Sequence, residues 1–492
     1  MKILLAKEAK QADAFTIAQE AIESQDLMGR AAGAAAFKLM DLWPKPMRFY
    51  ILCGMGNNGG DGLAIAQILR KHGRGVRVWV VKHTRDFSPE AKHYSLKVNF
   101  DWIESAADLP EAETDECVVD AILGLGQSRP VSGLMLDVVK RVNNWPNEVV
   151  AIDVPTGLLP DAMGEFGEVL MARHTLSFQF PKLGFFLPAQ GWATQSFEVL
   201  DIGLDKTFIS QSASPFEFYG ADELKHRVIK RLRFSHKGNY GHVLLLAGSL
   251  GMAGAARLCA EAALRAGAGK LSLLSDAEVQ QSMQTALPEA MCVQESKLDH
   301  YSFSDCTLVA GPGLGRSEEQ SKKLWKWLSR QTNPVVLDAD ALNNLADHPE
   351  QWKGIPPNSI LTPHMGEFKR LFGFGCDSYE EVEAIRQWVM SEQLNLVMKG
   401  AYTAVFSVDG EVWFNSTGNA ALAKGGSGDV LCGLIGGLLA RHYEPKWAAR
   451  MGVYVHGLSA DLYVQKQHTE TMLASDLFDY LPQAFRVLEN QA

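Results

Sequence analysis

The chain has 492 residues, 47% of them hydrophobic and 21% charged, a globular composition at a length that exceeds what one hydrophobic core sustains. Its formal net charge of −10, shared by both halves, argues against a nonspecific nucleic-acid binder that works by neutralising phosphates. The seven cysteines are scattered with no pair at metal-ligand or redox spacing, charge enters the N-terminal segment at Lys2, Lys7 and Glu8, and no apolar run approaches the roughly 18 residues of a membrane span. A soluble cytoplasmic protein with reduced thiols is expected, without nucleic-acid or membrane partners.

In chain order, residues 49–54, 76–81, 117–123 and 149–154 read as buried strands, with helices at 62–72 and 133–145 between them. Runs at 174–180 and 197–203 extend the same sheet. Strand–helix alternation at this spacing predicts a parallel sheet covered on both faces. Between Asp205 and Asp222 the pattern lapses into a polar stretch around Ser210–Pro215, which sets a domain boundary: 1–215 and 216–492. Alternation restarts with a strand at 242–247 and an Ala-rich helix at 253–268. Strands follow at 270–274, 307–310, 334–337, 359–361 and 396–399, then a hairpin at 404–415 turning on Asp409-Gly410. Helices at 429–441, 446–465 and 474–488 close the chain.

Directly after the first strand, Gly54-Met55-Gly56-Asn57-Asn58-Gly59-Gly60-Asp61-Gly62 opens onto a helix. Glycines let backbone approach a ligand, and a helix N-terminus offers free amides to phosphate. A tight strand-to-helix turn would need glycine too, but not Asn57, Asn58 and Asp61. At two further strand ends, Asp120 leads into Leu123-Gly124-Leu125-Gly126 and Asp153 into Val154-Pro155-Thr156-Gly157, and each could merely cap its own loop. Together, at the carboxyl edge of a parallel sheet and facing a Gly-rich loop, they point to a site.

In the second half, Lys424-Gly425-Gly426-Ser427-Gly428-Asp429 precedes a strongly apolar helix. Successive small residues at a helix start aim several amides at one point, an anion hole from Gly425, Gly426, Ser427 and Gly428 for a transferring phosphoryl group. Asp429, in the first turn, is placed to take a proton from a hydroxyl, although an acid there also simply stabilises a helix. Gly311-Pro312-Gly313-Leu314-Gly315 and Thr362-Pro363-His364-Met365-Gly366-Glu367 each follow a strand, and His364 reads equally as a cap or a ligand contact. Lys399-Gly400 ends another strand, with a lysine able to meet phosphate.

On the Gly54–Gly62 motif, Asp120-Ala121-Ile122-Leu123-Gly124-Leu125-Gly126 and Asp153-Val154-Pro155-Thr156-Gly157, residues 1–210 resemble the NAD(P)H-hydrate epimerase domain. The resemblance implies hydrate contacts from Asn57, Asn58, Gly59, Gly60, Asp61, from Gly124, Leu125, Gly126, Gln127, Ser128, Arg129, Pro130, and from Asp153. It also implies a potassium ion held by Asn58, Asp120 and Thr156. Many members carry Ser where this chain has Thr156 and Ile where it has Val154, which keeps hydroxyl and apolar character.

On His236-Lys237-Gly238, Gly311–Gly315, Thr362–Glu367, Lys399-Gly400 and Gly425–Asp429, residues 223–490 resemble the ribokinase-like fold and, within it, the ADP-dependent NAD(P)H-hydrate dehydratases. That implies hydrate contacts from Ala253, Gly313, His364 and Asp429, and nucleotide contacts from Lys399, Gly400, Ala401, Tyr402, Thr403 and Gly428. The expected fold class is α/β in two domains, a Rossmann-like three-layer sandwich followed by a ribokinase-like three-layer domain. The expected function is bifunctional repair of hydrated NADH and NADPH: epimerisation with Asp153 as catalytic group, and ADP-dependent dehydration with Asp429 as base. Magnesium on the nucleotide, small-molecule partners and a homo-oligomer complete the expectation. Two other readings stand beside it, a vitamin kinase with an attached ligand-binding module, and an N-terminal protein- or RNA-binding scaffold.

Overall fold

The computed structural model describes residues 1–295 and 306–490. They form two compact units, Met1–Phe216 with Cys376–Val382, and Glu217–Gly375 with Glu383–Ala492.

The first unit is built on seven parallel strands: β1 (Arg48–Cys53), β2 (Val76–Val81), β3 (Asp101–Ile103), β4 (Glu116–Ala121), β5 (Val149–Ile152), β6 (His174–Phe178) and β7 (Phe197–Leu200). Their order is β3-β2-β1-β4-β5-β6-β7. Side chains alternate across the sheet, so β1 supplies both cores: Phe49, Ile51 and Cys53 pack with Leu39, Leu63 and Ile65, while Tyr50 and Leu52 pack with Val118, Val138 and Val139. Burial on both faces explains why these strands read as continuous apolar runs. The order reverses between β1 and β4, which opens a crevice at their carboxyl ends.

The helix after β1 spans Asn57–Lys71, so it begins earlier than its apolar pattern predicts and absorbs the Asn-Asn-Gly-Gly-Asp-Gly motif into its first turns. Glycine makes this possible. A Cβ at Gly62 would stand 2.6 Å from Ala121 Cβ and 2.7 Å from Cys53 Sγ, so only glycine lets the helix settle onto the sheet. The stretch expected to be a polar linker instead contains a short helix, Lys206–Ser210, and a strand, β8 (Phe216–Tyr219). Four residues are too few for periodicity to reveal a strand.

The second unit carries a ten-stranded sheet in the order β11-β10-β9-β12-β13-β14-β15-β16-β17-β8. Its other strands are β9 (His242–Leu246), β10 (Lys270–Leu274), β11 (Met291–Cys292), β12 (Thr307–Ala310), β13 (Val336–Leu337), β14 (Ile360–Leu361), β15 (Asn395–Met398), β16 (Ala404–Phe406) and β17 (Val412–Asn415). The pairs from β11 to β15 are parallel; β15–β16 and β16–β17 are antiparallel, the latter being the hairpin turning at Gly410.

Helix Ser427–Ala440 is fixed between the sheet and helix Ala253–Arg265 by glycines on two faces. Cβ atoms at Gly433 and Gly437 would lie 2.1 Å from Cys259 O and 2.4 Å from Ala263 O, and one at Gly436 would lie 2.4 Å from Val309 Cγ2. These contacts set the height at which the N-terminus of the helix, with Asp429, meets the sheet edge. Among the described residues, no helix is long and apolar enough to cross a membrane.

Candidate active sites

In the first unit a cavity of about 840 Å³ opens at the carboxyl ends of the strands. Asn57, Asn58, Asp61, all of Gly124–Pro130 and Asp153 line it, so residues far apart in sequence converge on one wall. Gly59 and Gly60 do not. Their missing side chains serve packing instead, since a Cβ at Gly59 would lie 1.9 Å from Gly54 O and one at Gly60 would lie 2.9 Å from Met28 Sδ.

Asp120 and Thr156 sit beneath the cavity rather than in it. Asp120 is fully buried and accepts from the Thr156 amide and the Thr156 hydroxyl, both at 2.7 Å, and from the Ile122 amide at 3.2 Å. Leu123 joins the third predicted ligand to this pair: its N–H donates to Thr156 Oγ1 at 3.1 Å, while its carbonyl accepts from Asn58 Nδ2 at 2.8 Å. Burial raises the Asp120 carboxyl to about 6, against the hydrogen bonds from Thr156 and Ile122.

Asp153 follows β5 in the left-handed region at φ 63°. For a non-glycine residue that costs on the order of 1–3 kcal/mol, tolerated where the surroundings over-determine it. The surroundings are Lys182, whose Nζ lies 2.7 Å from Asp153 Oδ1, and the Phe178 amide, which donates to the same oxygen at 3.2 Å. Lys182 is 2% exposed and also donates to Ser177 Oγ, Phe178 O and Phe180 O at 3.0–3.1 Å. This lysine belongs to no sequence motif; its one signal is a cation two residues after Phe180, just past β6. Asp61 has its carboxyl pushed well above the usual range by burial, then by Asp153 and Asp13. Asp13, likewise in no motif, lines the cavity from helix Ala6–Glu20.

In the second unit, strand ends again converge. Helix Ser427–Ala440 starts from Gly426 at φ 92°, a conformation glycine adopts without strain, and carries Asp429 in its first turn. Lys399 Nζ, after β15, lies 2.8 Å from Asp338 Oδ1 and 3.8 Å from Glu367 Oε2. The same ammonium lies 3.3 Å from where a Gly428 Cβ would stand, so it faces the predicted anion hole. Asp340 ties in the Gly311–Gly315 loop by accepting from the Gly315 amide at 2.8 Å. Between the two acids Ala339 sits at φ 47°, a second strained residue at a strand end. Asp338 and Asp340 follow a buried strand just as Asp153 does, and that was the available signal for them.

Burial raises Asp429 to about 7; Asp338 adds to the rise, Lys399 opposes it, and Asp340 and Glu367 add less. Burial pulls Lys399 down, but Asp338 and Glu367 more than compensate and hold its ammonium above the usual range. The backbone of the predicted anion hole is braced by His456, whose Nε2 lies 3.0 Å from Ser427 O and 3.3 Å from Ser427 Oγ. Burial lowers His456 to about 4 despite its bond to Ser427, so at neutral pH its Nε2–H is a neutral donor.

His364 acts as the helix cap that its sequence context allowed. Its Nδ1 caps helix Met365–Phe372 by accepting from the Gly366 and Glu367 amides at 2.9 and 3.3 Å, and its ring stays 57% exposed with Nε2 3.4 Å from Glu367 Oε1. Gly400–Thr403 form the turn from β15 to β16, closed by Thr403 Oγ1 on Gly400 O at 3.3 Å. Ala253 and Gly313 form a separate neighbourhood at this edge: a Gly313 Cβ would lie 2.9 Å from Met252 Cβ and 3.0 Å from Ala255 Cβ. Among the described residues, no group of three or more His, Cys, Asp or Glu side chains is arranged to hold a metal.

A doubly wound sheet with a cavity at its switch point, followed by a kinase-like sheet with an acid at a glycine-rich helix start, defines a two-headed α/β enzyme. Known proteins carry the assignment further. Residues 243–483 match the family model described as NAD(P)H-hydrate dehydratase, and residues 24–184 match that of the YjeF-related protein N-terminus. The bifunctional NAD(P)H-hydrate repair enzyme Nnr of Moorella thermoacetica is 34% identical over 469 residues, covering 90% of this chain and 88% of that protein. The ADP/ATP-dependent NAD(P)H-hydrate dehydratase from Bacillus subtilis, co-crystallised with ATP/Mg2+, is 36% identical with a TM-score of 0.50, covering 56% of this chain and 99% of its own. A ribokinase-like superfamily protein from Enterococcus faecalis, at 24% identity, TM-score 0.51 and coverage of 56% and 98%, shares the fold of the second unit. The chain belongs to the family of bifunctional NAD(P)H-hydrate repair enzymes.

Proposed function

We propose that the first unit interconverts the two epimers of hydrated NADH and NADPH at Asp153, and that the second dehydrates the S epimer at Asp429, converting ADP to AMP and phosphate. Hydration of the reduced nicotinamide places a hydroxyl on the ring carbon bonded to nitrogen. Hydroxide leaves poorly, so the second unit makes it a phosphate first. Asp429 takes the hydroxyl proton as the oxygen attacks the terminal phosphoryl group of ADP and AMP departs. The amides of Gly425–Gly428 then stabilise the phosphate as the ring nitrogen expels it, and loss of a proton from the neighbouring carbon restores the double bond. Magnesium stays with the nucleotide phosphates.

One observation carries this reading: an acid raised to about 7 stands in the first turn beyond Gly425–Gly428, beside the Lys399–Asp338 pair. A base poised near the working pH is what proton removal at the moment of phosphoryl transfer requires.

The oxygens of Asn58, Asp120 and Thr156 suit potassium. The set is hard and oxygen-only, it is knit together through Leu123, and Asn58 Nδ2 is already spent on Leu123 O, leaving Oδ1 as donor. Bound there, the ion would add positive charge beneath the cavity and favour the ionised form of Asp120.

Mixed hydrate epimers supplied with ADP test the whole scheme by recovery of reduced-nicotinamide absorbance. Wild type converts both epimers; Asp429→Ala stops recovery altogether. Asp153→Asn leaves conversion of the S epimer and slows that of the R epimer to its spontaneous rate. Full recovery by the Asp429→Ala chain would overturn the reading.

A further inference from the structure

We infer that Asp13 is a second acid–base residue of the epimerase reaction, working on the substrate hydroxyl in partnership with Asp153; this rests on the epimerase function proposed for the first unit. Helix Ala6–Glu20 turns Ala9, Lys10, Asp13 and Ile17 towards the cavity, a spacing that puts them on one helical face. The helix lies outside residues 24–184 matched by the family model. Its buried face, Ala9, Ala12 and Thr16, fixes the register, and Thr16 Oγ1 receives the Asp205 amide at 3.0 Å. Asp13 is therefore held in place by its helix, yet among the described residues its carboxyl makes no hydrogen bond or ion pair.

The charged groups around it divide the work. Asp153 is ion-paired to Lys182, and Asp61, from helix Asn57–Lys71, is pushed towards its neutral form. Lys10, on the same helix as Asp13, and His83 and Arg129 line the same cavity. Burial, then the Asp153 carboxylate, raise Asp13 to about 6, with Lys182 opposing. An unpaired acid that holds its proton up to about pH 6, in a cavity with an ion-paired carboxylate from another element, is the arrangement that inversion at a carbon–oxygen centre requires.

In the step itself, the lone pair of the ring nitrogen forms a double bond to the hydroxyl-bearing carbon as the carbon–oxygen bond breaks. The departing oxygen takes that bond's electron pair and the Asp13 proton, leaving as water. Water then adds to the opposite face, the double-bond pair returns to nitrogen, and the proton of the incoming water passes to Asp153. Asp153 then gives its proton to solvent and Asp13 regains one from it, which resets the site with no other reactant consumed; in the reverse direction the two residues exchange roles.

The test uses the full-length chain with each purified epimer, in water enriched in ¹⁸O, with Asp13→Asn, Asp13→Glu and Asp153→Asn beside wild type. Asp13→Asn is expected to lower kcat about 100-fold or more with little change in KM, the usual scale for a lost acid–base group. It should also remove the limb of the pH–rate profile near 6, while Asp13→Glu recovers part of kcat. Each wild-type turnover should incorporate one ¹⁸O at the hydroxyl. A wild-type rate and pH profile in Asp13→Asn would overturn the role of Asp13 while Asp153→Asn remains inactive. If Asp13→Asn loses activity and Asp13→Glu restores none, with both melting as wild type does, position rather than proton transfer is at stake and the proposal fails. Wild-type chain that epimerises neither hydrate would instead overturn the function on which it rests.

Discussion

Lys182 Nζ and Asp153 Oδ1 lie 2.7 Å apart, with the lysine side chain 2% and the aspartate side chain 11% exposed. A lysine taken so far out of water persists only because every proton finds an acceptor, here one carboxylate, one hydroxyl and two carbonyls. It in turn fixes the carboxylate that a left-handed backbone has already aimed at the cavity.

Removing the lysine alone leaves Asp153 without its counter-charge, so Lys182→Met is expected to destabilise the first unit by about 3–5 kcal/mol. Epimerase activity should fall with it. Because much of that cost is the uncompensated carboxylate, Asp153→Asn combined with Lys182→Met should cost less than the sum of the two single changes. Denaturant titration of the four chains gives the coupling, and strict additivity would mean the pair is not energetically linked.

Asp429 ties activity and stability together in opposite senses. As the proposed base it would work ionised, so dehydration by wild type should rise with pH through about 7. Because its folded pKa is raised, the stability attached to its proton is complete below the ordinary carboxylate range and is lost as pH rises through about 7. Asp429→Asn should therefore abolish dehydration yet raise the melting temperature of the second unit at pH 8, with no gain at pH 4. Scanning calorimetry at the two pH values, beside the assay, decides it.

Lys399 lowers Asp429, against burial and Asp338, which raise it. Replacing it with Met should move the alkaline-rising limb of the dehydration profile to higher pH, besides weakening nucleotide binding. Asp338, 2% exposed at its side chain, would also lose its partner, a cost of about 3–5 kcal/mol. A rate profile that keeps its midpoint would show that Lys399 does not set the field at Asp429.

What the sequence made legible follows from which contacts are local. Asp153 and Asp429 could be found because each ends a strand or starts a helix within a glycine-rich motif, and the parallel sheet gathers strand ends at one edge. Lys182 and Asp13 reach the same cavity by tertiary packing, from positions with no motif of their own, so nothing in their neighbourhood marks them. Asp338 and Asp340 follow the predicted strand at 334–337 and were readable by the same strand-end logic, but no glycine-rich motif surrounds them to single them out. The Asn57–Gly62 segment, read as a loop, forms the first turns of a helix. Its glycines are required by contact with Ala121 and Cys53, which sequence alone does not place nearby.

Close approach also governs the helix that carries Asp429. A methyl group at position 433 would meet the carbonyl oxygen of Cys259 at 2.1 Å, and a helix backbone cannot yield as the end of a side chain can. Gly433→Ala should then push helix Ser427–Ala440 away from Ala253–Arg265, at a cost near the upper end of the about 1–3 kcal/mol typical of overpacking. Because the same helix carries the proposed anion hole and Asp429 in its first turn, dehydration should fall by more than the loss of folded protein explains, and epimerisation should be unchanged. Gly254→Ala is the control. Its Cβ would meet nothing within 4 Å, so it should be neutral, or stabilising by up to about 1 kcal/mol through helix propensity. Equal melting temperatures for the Gly433 and Gly254 variants would show that the two helices are not held together at Gly433.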